Sequence, residues 1–183
     1  MRKIIGLFAL MIGLLVAVAA SSAHFAYFEA DRNVHIAVVP DDNELIDLRP
    51  LQPYAYISDN GMLVIDLSQN NPKWWELVNE EFTPGKGVSP NSTYVFEEVF
   101  GVSNDLWEGT PICMHITYSG DGGVRFFVGD YTGQEGETTL DVTIMPGEVV
   151  KIGMILDSTD LEEGDAIDGQ LQFYAEAGVC EEE

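Results

Sequence analysis

Short apolar runs closed by turn residues fill the chain from Met62 to Ala177, and the repeating helical period that would separate parallel strands is missing between them. The runs are "MLVIDLS" (62–68), "TYVFEEVFGV" (93–102), "ICMHITYS" (112–119), "VRFFVGDY" (124–131), "TTLDVTIM" (138–145), "EVVKIGMIL" (148–156) and "GQLQFYAEA" (169–177). An earlier one alternates Val34, Ile36 and Val38 with His35, Ala37 and Val39. Between them stand Asp59-Asn60-Gly61, Ser119-Gly120-Asp121-Gly122-Gly123, Pro146-Gly147 and Glu162-Glu163-Gly164-Asp165. Eight or nine strands at such spacing predict an all-β chain, an antiparallel β-sandwich of jelly-roll type. Asn60-Gly61 suits the type I′ turn of a two-residue hairpin. The exception is "NNPKWWELVNEEF" (70–82), where Pro72 opens a short helix and Trp74, Trp75, Leu77 and Val78 form its apolar flank.

Residues 1–23 read as a signal peptide, with Arg2 and Lys3 before an apolar stretch from Ile4 to Ala20 and a small-residue cleavage site at Ser21-Ser22-Ala23. An uncleaved leader would be the chain's membrane anchor and its sole contact with a membrane. Residues 24–183 are then one exported domain, long enough to bury a core without a metal. Loss of Arg2 and Lys3 leaves six Lys and Arg against 31 Asp and Glu, a net charge of −25. That field repels nucleic acid and anionic lipid, which excludes a nucleic-acid partner. Cys113 and Cys180 are the two cysteines. In an exported chain they are expected to pair, and closing the intervening loop stabilises the fold by about 4 kcal/mol.

Catalytic signatures are missing. The sequence has no His-Glu-x-x-His, Gly-x-Ser-x-Gly, phosphate-binding glycine loop or Cys-x-x-Cys, and it has only three histidines, so it does not read as an enzyme. A processed His24 could chelate copper with His35 or His115, but both of those lie in strand-like runs where a solvated histidine is ordinary, and the ordinary reading is preferred. Carboxylates of "DSTDLEEGDAIDG" (157–169), namely Asp157, Asp160, Glu162, Glu163, Asp165 and Asp168, could hold calcium, the one cofactor the sequence suggests. Their spacing does not match an EF-hand, and a solvated loop is the simpler reading; "PDDNEL" (40–45) is a weaker candidate of the same kind. Trp74, Trp75 and Trp107 could form a sugar-stacking platform, or the helix could cap the sandwich with its indoles inside. Asn91 opens an Asn-Ser-Thr glycosylation sequon on a turn after Pro90.

Longer stretches carry a resemblance. "FAYFEADRNVHIAVVPDDNELIDL" (25–48), "VSPNSTYVFEEVFGVSN" (88–104), "IMPGEVVKIGMILDST" (144–159) and "DAIDGQLQFYAEA" (165–177) together resemble a family of secreted archaeal proteins of unknown function, with Val88 where that family's pattern has leucine. The plan is similar to that of camelysin and TasA-like biofilm-matrix fibre subunits and of archaeal bundling-pilus subunits. The resemblance implies a jelly-roll domain whose N-terminal segment adds a strand to the next subunit. Camelysins are also classed as metallopeptidases, and no zinc-ligand pair of that kind stands in this sequence. A terminal segment with apolar residues on both faces is costly in water, which agrees with a donor role for Phe25, Ala26, Tyr27 and Phe28, extending towards Val34. The expectation is therefore a secreted, cell-surface filament or matrix subunit that self-assembles head to tail. The alternatives are a segment folded back on its own sheet, or a monomeric surface module binding carbohydrate or calcium.

Overall fold

The structure, a computed structural model, describes residues 45–79, 81–106 and 109–181, all within one compact unit that spans Val38–Glu183. The expected signal peptide, the expected donor residues Phe25–Phe28, the strand expected around Val34 to Val38, His24, His35, Trp107 and most of "PDDNEL" lie outside the described residues.

Nine strands are described: β1 (Leu48–Pro50), β2 (Ala55–Ile57), β3 (Leu63–Ile65), β4 (Thr93–Ser103), β5 (Ile112–Gly120), β6 (Val124–Val128), β7 (Thr139–Ile144), β8 (Val149–Asp157) and β9 (Gly169–Ala177). They form a four-stranded sheet in the order β1-β4-β8-β6, a three-stranded sheet in the order β7-β5-β9 and a β2-β3 hairpin, with every pairing antiparallel. From β4 to β9 the chain changes sheet at each connection, so both sheets fill together and the antiparallel sandwich expected from the sequence results.

Period-2 alternation decides which groups meet. In β5, Ile112, Met114 and Ile116 are at most 1% exposed and, with Ile144 of β7 in the same sheet, share one core with Phe100 and Val102 of β4, Phe126 of β6 and Ile152 and Met154 of β8. Phe100 meets Phe173 of β9 edge to face at 5.9 Å, and Tyr118 of β5 meets Phe126 at the same separation, so aromatic pairs tie the two layers. Burial of each such side chain stabilises the fold by about 1.5–3 kcal/mol before entropy is counted. In β4 the register shifts between Phe96, opposite Met154, and Phe100, opposite Ile152; Glu98 at φ 52° forms the bulge, and its carboxylate meets Lys151 Nζ at 2.6 Å.

Two local expectations are corrected. The Asn60-Gly61 hairpin exists, but Ser58 and Met62 close it, with Gly61 N–H donating to Ser58 O, and Gly61 has positive φ while Asn60 does not. A type I′ turn needs both central residues at positive φ, so this is the longer loop with glycine in the left-handed position. The short helix expected in the 70–82 region is present as one turn, α1 (Trp74–Leu77), but Pro72 does not open it and lies before it, in the turn that Trp74 N–H closes on Asn71 O.

Candidate functional site

Sheet register gathers polar and reactive side chains on the outer face of β7-β5-β9. With Ile112, Met114 and Ile116 turned inward, Cys113 and His115 must point outward. Cys113 pairs with Thr143 of β7 and Glu176 of β9, and His115 pairs with Asp141 of β7 and Tyr174 of β9, which sets two rows across three strands.

The imidazole of His115 is held from several sides. Its Nδ1 lies 2.6 Å from Asp141 Oδ1; an ionised carboxylate only accepts, so Nδ1 carries a proton, and in the neutral ring Nε2 presents its lone pair. Nε2 faces Cys113 Sγ at 3.5 Å and Glu176 Oε1 at 3.7 Å, and the Tyr174 ring stacks on the imidazole at 5.7 Å. The Asp141 hydrogen bond, reinforced by the charges of Asp141 and Glu176, raises the His115 pKa above its ordinary value.

Cys113 and Cys180 form the expected disulfide, with Cα atoms 4.8 Å apart. Cys180 follows β9, and its N–H donates to Thr143 Oγ1, so the end of the chain is strapped over β5 and covers Cys113 to 1% exposure. Among the described residues, Cys113, His115 and Glu176 are the one group of three such side chains whose ligand atoms lie within 4.8 Å of one another. While the disulfide is intact, its sulfur is no thiolate, and His115 Nε2 and Glu176 are the two donors left on this side.

The acidic residues of the 157–169 loop go to separate tasks. Asp157 accepts from the N–H and hydroxyl of Thr159, and these bonds lower its pKa; Asp165 accepts from Glu162 N–H; the Asp168 carbonyl accepts from Asp121 N–H. Asp160 is exposed at φ 68°, and Glu162 and Glu163 are exposed. Asn91 is exposed on the turn before β4 at φ 50°, its N–H bound to Ser158 O, so the sequon lies at the surface.

The two described indoles do not form a flat platform. Trp74 is buried and donates from Nε1 to Gly85 O, Trp75 is 69% exposed, and their rings cross at 83°. Neither the shared platform nor the all-inside cap describes them, because successive helical residues are turned by about 100°, which sends one indole inward and leaves the other in solvent.

Asp141, Tyr174 and Glu176 were not among the expected site residues. Each lies more than 20 positions from His115 and reaches it through strand pairing, for which the outward parity of Cys113 and His115 in "ICMHITYS" was the one local signal.

Comparison with curated proteins gives no match. A family model described as "Protein of unknown function (DUF1102)" matches residues 38–180, which takes in all nine described strands and both cysteines and leaves out Phe25–Phe28. Since that match covers more than three quarters of the sequence, the chain belongs to the DUF1102 family of proteins of unknown function.

Proposed function

We propose that this chain is an exported structural subunit of the cell surface that assembles head to tail into a filament or matrix fibre, Phe25–Phe28 of one copy adding a strand to β9 of the next. The observation that carries the reading is the outer edge of β9. Among the described residues no strand pairs with it, although β9 runs for nine residues. Its inward Leu171, Phe173 and Ala175 are only half-buried, whereas Ile116 and Met114, the β5 partners of Phe173 and Ala175, are closed off. An added strand would cover them and would satisfy the open row of main-chain groups. Both edges of the four-stranded sheet are less suited: β1 has three residues and ends in Pro50, and Phe126 of β6 already exchanges both main-chain hydrogen bonds with Glu137. A contact between an N-terminal segment and a different surface does not close on itself, so repetition gives a fibre. The likeness to camelysin and TasA-like fibre subunits and to archaeal bundling pili points to the same mode of assembly, and the disulfide agrees with an oxidising compartment.

The test is negative-stain electron microscopy of the mature chain at high concentration, beside a truncation lacking His24 to Asp31 and an Ala175→Pro variant. Gly178 N–H donates to Pro111 O and Asp121 N–H to Asp168 O, so even-numbered β9 residues bond to β5 and odd-numbered ones point their N–H groups outward. Proline at position 175 therefore removes an outward donor and spares the β5 ladder. Fibres from the full chain that vanish in both variants support the proposal. Monodisperse full-length particles, or fibres that survive the truncation, overturn it.

A further inference from the structure

The geometry points to a redox-gated metal site on the outer face of β7-β5-β9: when the Cys113–Cys180 disulfide is reduced, the two thiolates, His115 Nε2 and the Glu176 carboxylate bind one zinc ion. Three of these ligands already stand close together, and His115 Nε2 has the spacing to both of the others that a shared ion needs. Cys113 Sγ to His115 Nε2 is 3.5 Å and His115 Nε2 to Glu176 Oε1 is 3.7 Å, with all three atoms within 4.8 Å of one another. Zinc bonds of about 2.0–2.3 Å in a tetrahedron place neighbouring ligand atoms roughly 3.3–3.8 Å apart. Cys180 supplies the fourth corner because it is covalently attached to the first, on a segment beyond β9 that rests on Thr143.

The groups behind the ligands favour the same chemistry. Asp141 accepts a hydrogen bond from Nδ1–H of His115 at 2.6 Å, which leaves Nε2 of the neutral ring as the ligand atom and fixes the ring plane, as carboxylates behind zinc-bound histidines do. Tyr174 packs on the imidazole from one side. Two thiolates, an imidazole and a carboxylate suit zinc better than calcium or magnesium, which prefer oxygen alone.

The switch balances as a thiol–disulfide exchange. A thiolate of a small dithiol attacks the Cys180 sulfur, which is the less buried of the pair, and Cys113 leaves as a thiolate beside His115. The second thiol of the dithiol closes its own disulfide and releases Cys180. The protein gains two electrons and two protons, and the dithiol loses the same. Zinc then replaces the two thiol protons, which pass to solvent. In the oxidised chain both sulfurs are tied to each other, and the two remaining donors hold the ion weakly.

Zinc affinity of the mature protein, measured by competition with a chromogenic chelator before and after reduction and removal of the reductant under anaerobic conditions, tests this. We expect reduction to tighten binding at least a thousandfold, to one ion per chain. Cobalt in place of zinc should give a thiolate charge-transfer band and the visible spectrum of a tetrahedral centre. His115→Gln and Glu176→Gln should each weaken zinc binding ten- to a hundredfold, and Asp141→Asn, a positioning residue, about tenfold with the cobalt spectrum preserved. Equal affinity in the oxidised and reduced chains overturns the proposal, as does a reduced affinity indifferent to His115→Gln and Glu176→Gln. Circular dichroism guards against misfolding: a reduced chain that loses its β spectrum and does not regain it with zinc also overturns it.

Discussion

Phe127 of β6 and Gly153 of β8 are register partners, and the phenyl ring lies against the glycine so closely that a Cβ there would fall inside it. Gly153 therefore serves as a slot for an aromatic neighbour. Gly153→Ala should destabilise the fold by about 1–3 kcal/mol, the ordinary range for overpacking, because Phe127 is 2% exposed and has nowhere to move. Urea denaturation of Gly153→Ala, Phe127→Leu and the double variant checks it. The double variant should be less damaged than the sum of the singles, and strict additivity would show that the ring does not depend on the glycine.

Asn104 carries a polar joint inside the sandwich. It is fully buried; its side-chain amide donates to Thr110 O at 2.9 Å and Ile144 O at 3.1 Å, while Oδ1 accepts from Leu106 N–H. Three segments meet on one side chain, and Asn104→Ala removes all three of its hydrogen bonds inside the core. A loss of about 3 kcal/mol is expected. Asn104→Asp should be as harmful, since it keeps the acceptor, loses both donations and buries a charge. Chemical denaturation that places either variant within 0.5 kcal/mol of the parent, about the size of a neutral surface change, would contradict this.

Adjacent tryptophans should behave unlike each other. Trp74 is 7% exposed and hydrogen-bonded to Gly85 O, so Trp74→Ala removes a packed indole at a cost of about 3–5 kcal/mol. Trp75 stands out in solvent, and Trp75→Ala should change stability by less than about 0.5 kcal/mol. Thermal melts of the two single variants decide; equal losses would mean that both indoles are packed.

These contrasts show what could be read along the chain. The seven long runs from "MLVIDLS" to "GQLQFYAEA" correspond to β3 through β9, because period-2 burial is a local property written in neighbouring residues. β1 and β2 escaped notice, since three-residue strands beside Pro50 and Pro53 carry too few alternations to stand out from a loop. The disulfide was legible from cysteine arithmetic. The partners of His115 were not, because Asp141 and Glu176 reach it through the registers of β7 and β9 on β5, and register depends on the whole core rather than on any one segment. Trp74 and Trp75 were legible as helical but not as differing in burial, since the choice of inward indole follows from the Gly85 carbonyl 11 residues away.

His115 makes the stability of the disulfide-bonded chain depend on pH. The hydrogen bond from His115 Nδ1–H to Asp141, then the charges of Asp141 and Glu176, raise its pKa in the folded state above the ordinary 6.5, against partial opposition from desolvation. A group raised on folding binds its proton more tightly in the native state, so its contribution is complete below the unfolded value and fades as pH rises through the folded one. Stability should therefore fall from mildly acidic pH towards alkaline pH by an amount specific to this cluster. His115→Gln keeps a polar side chain and cannot titrate, so its urea midpoint should lack that share of the slope, and Asp141→Asn should shrink it. The imidazole titration, followed by proton NMR on the intact chain, should have its midpoint above 6.5 in the parent and nearer the ordinary value in Asp141→Asn. A parent midpoint at or below 6.5 would mean that Asp141 does not hold the charged imidazole in solution.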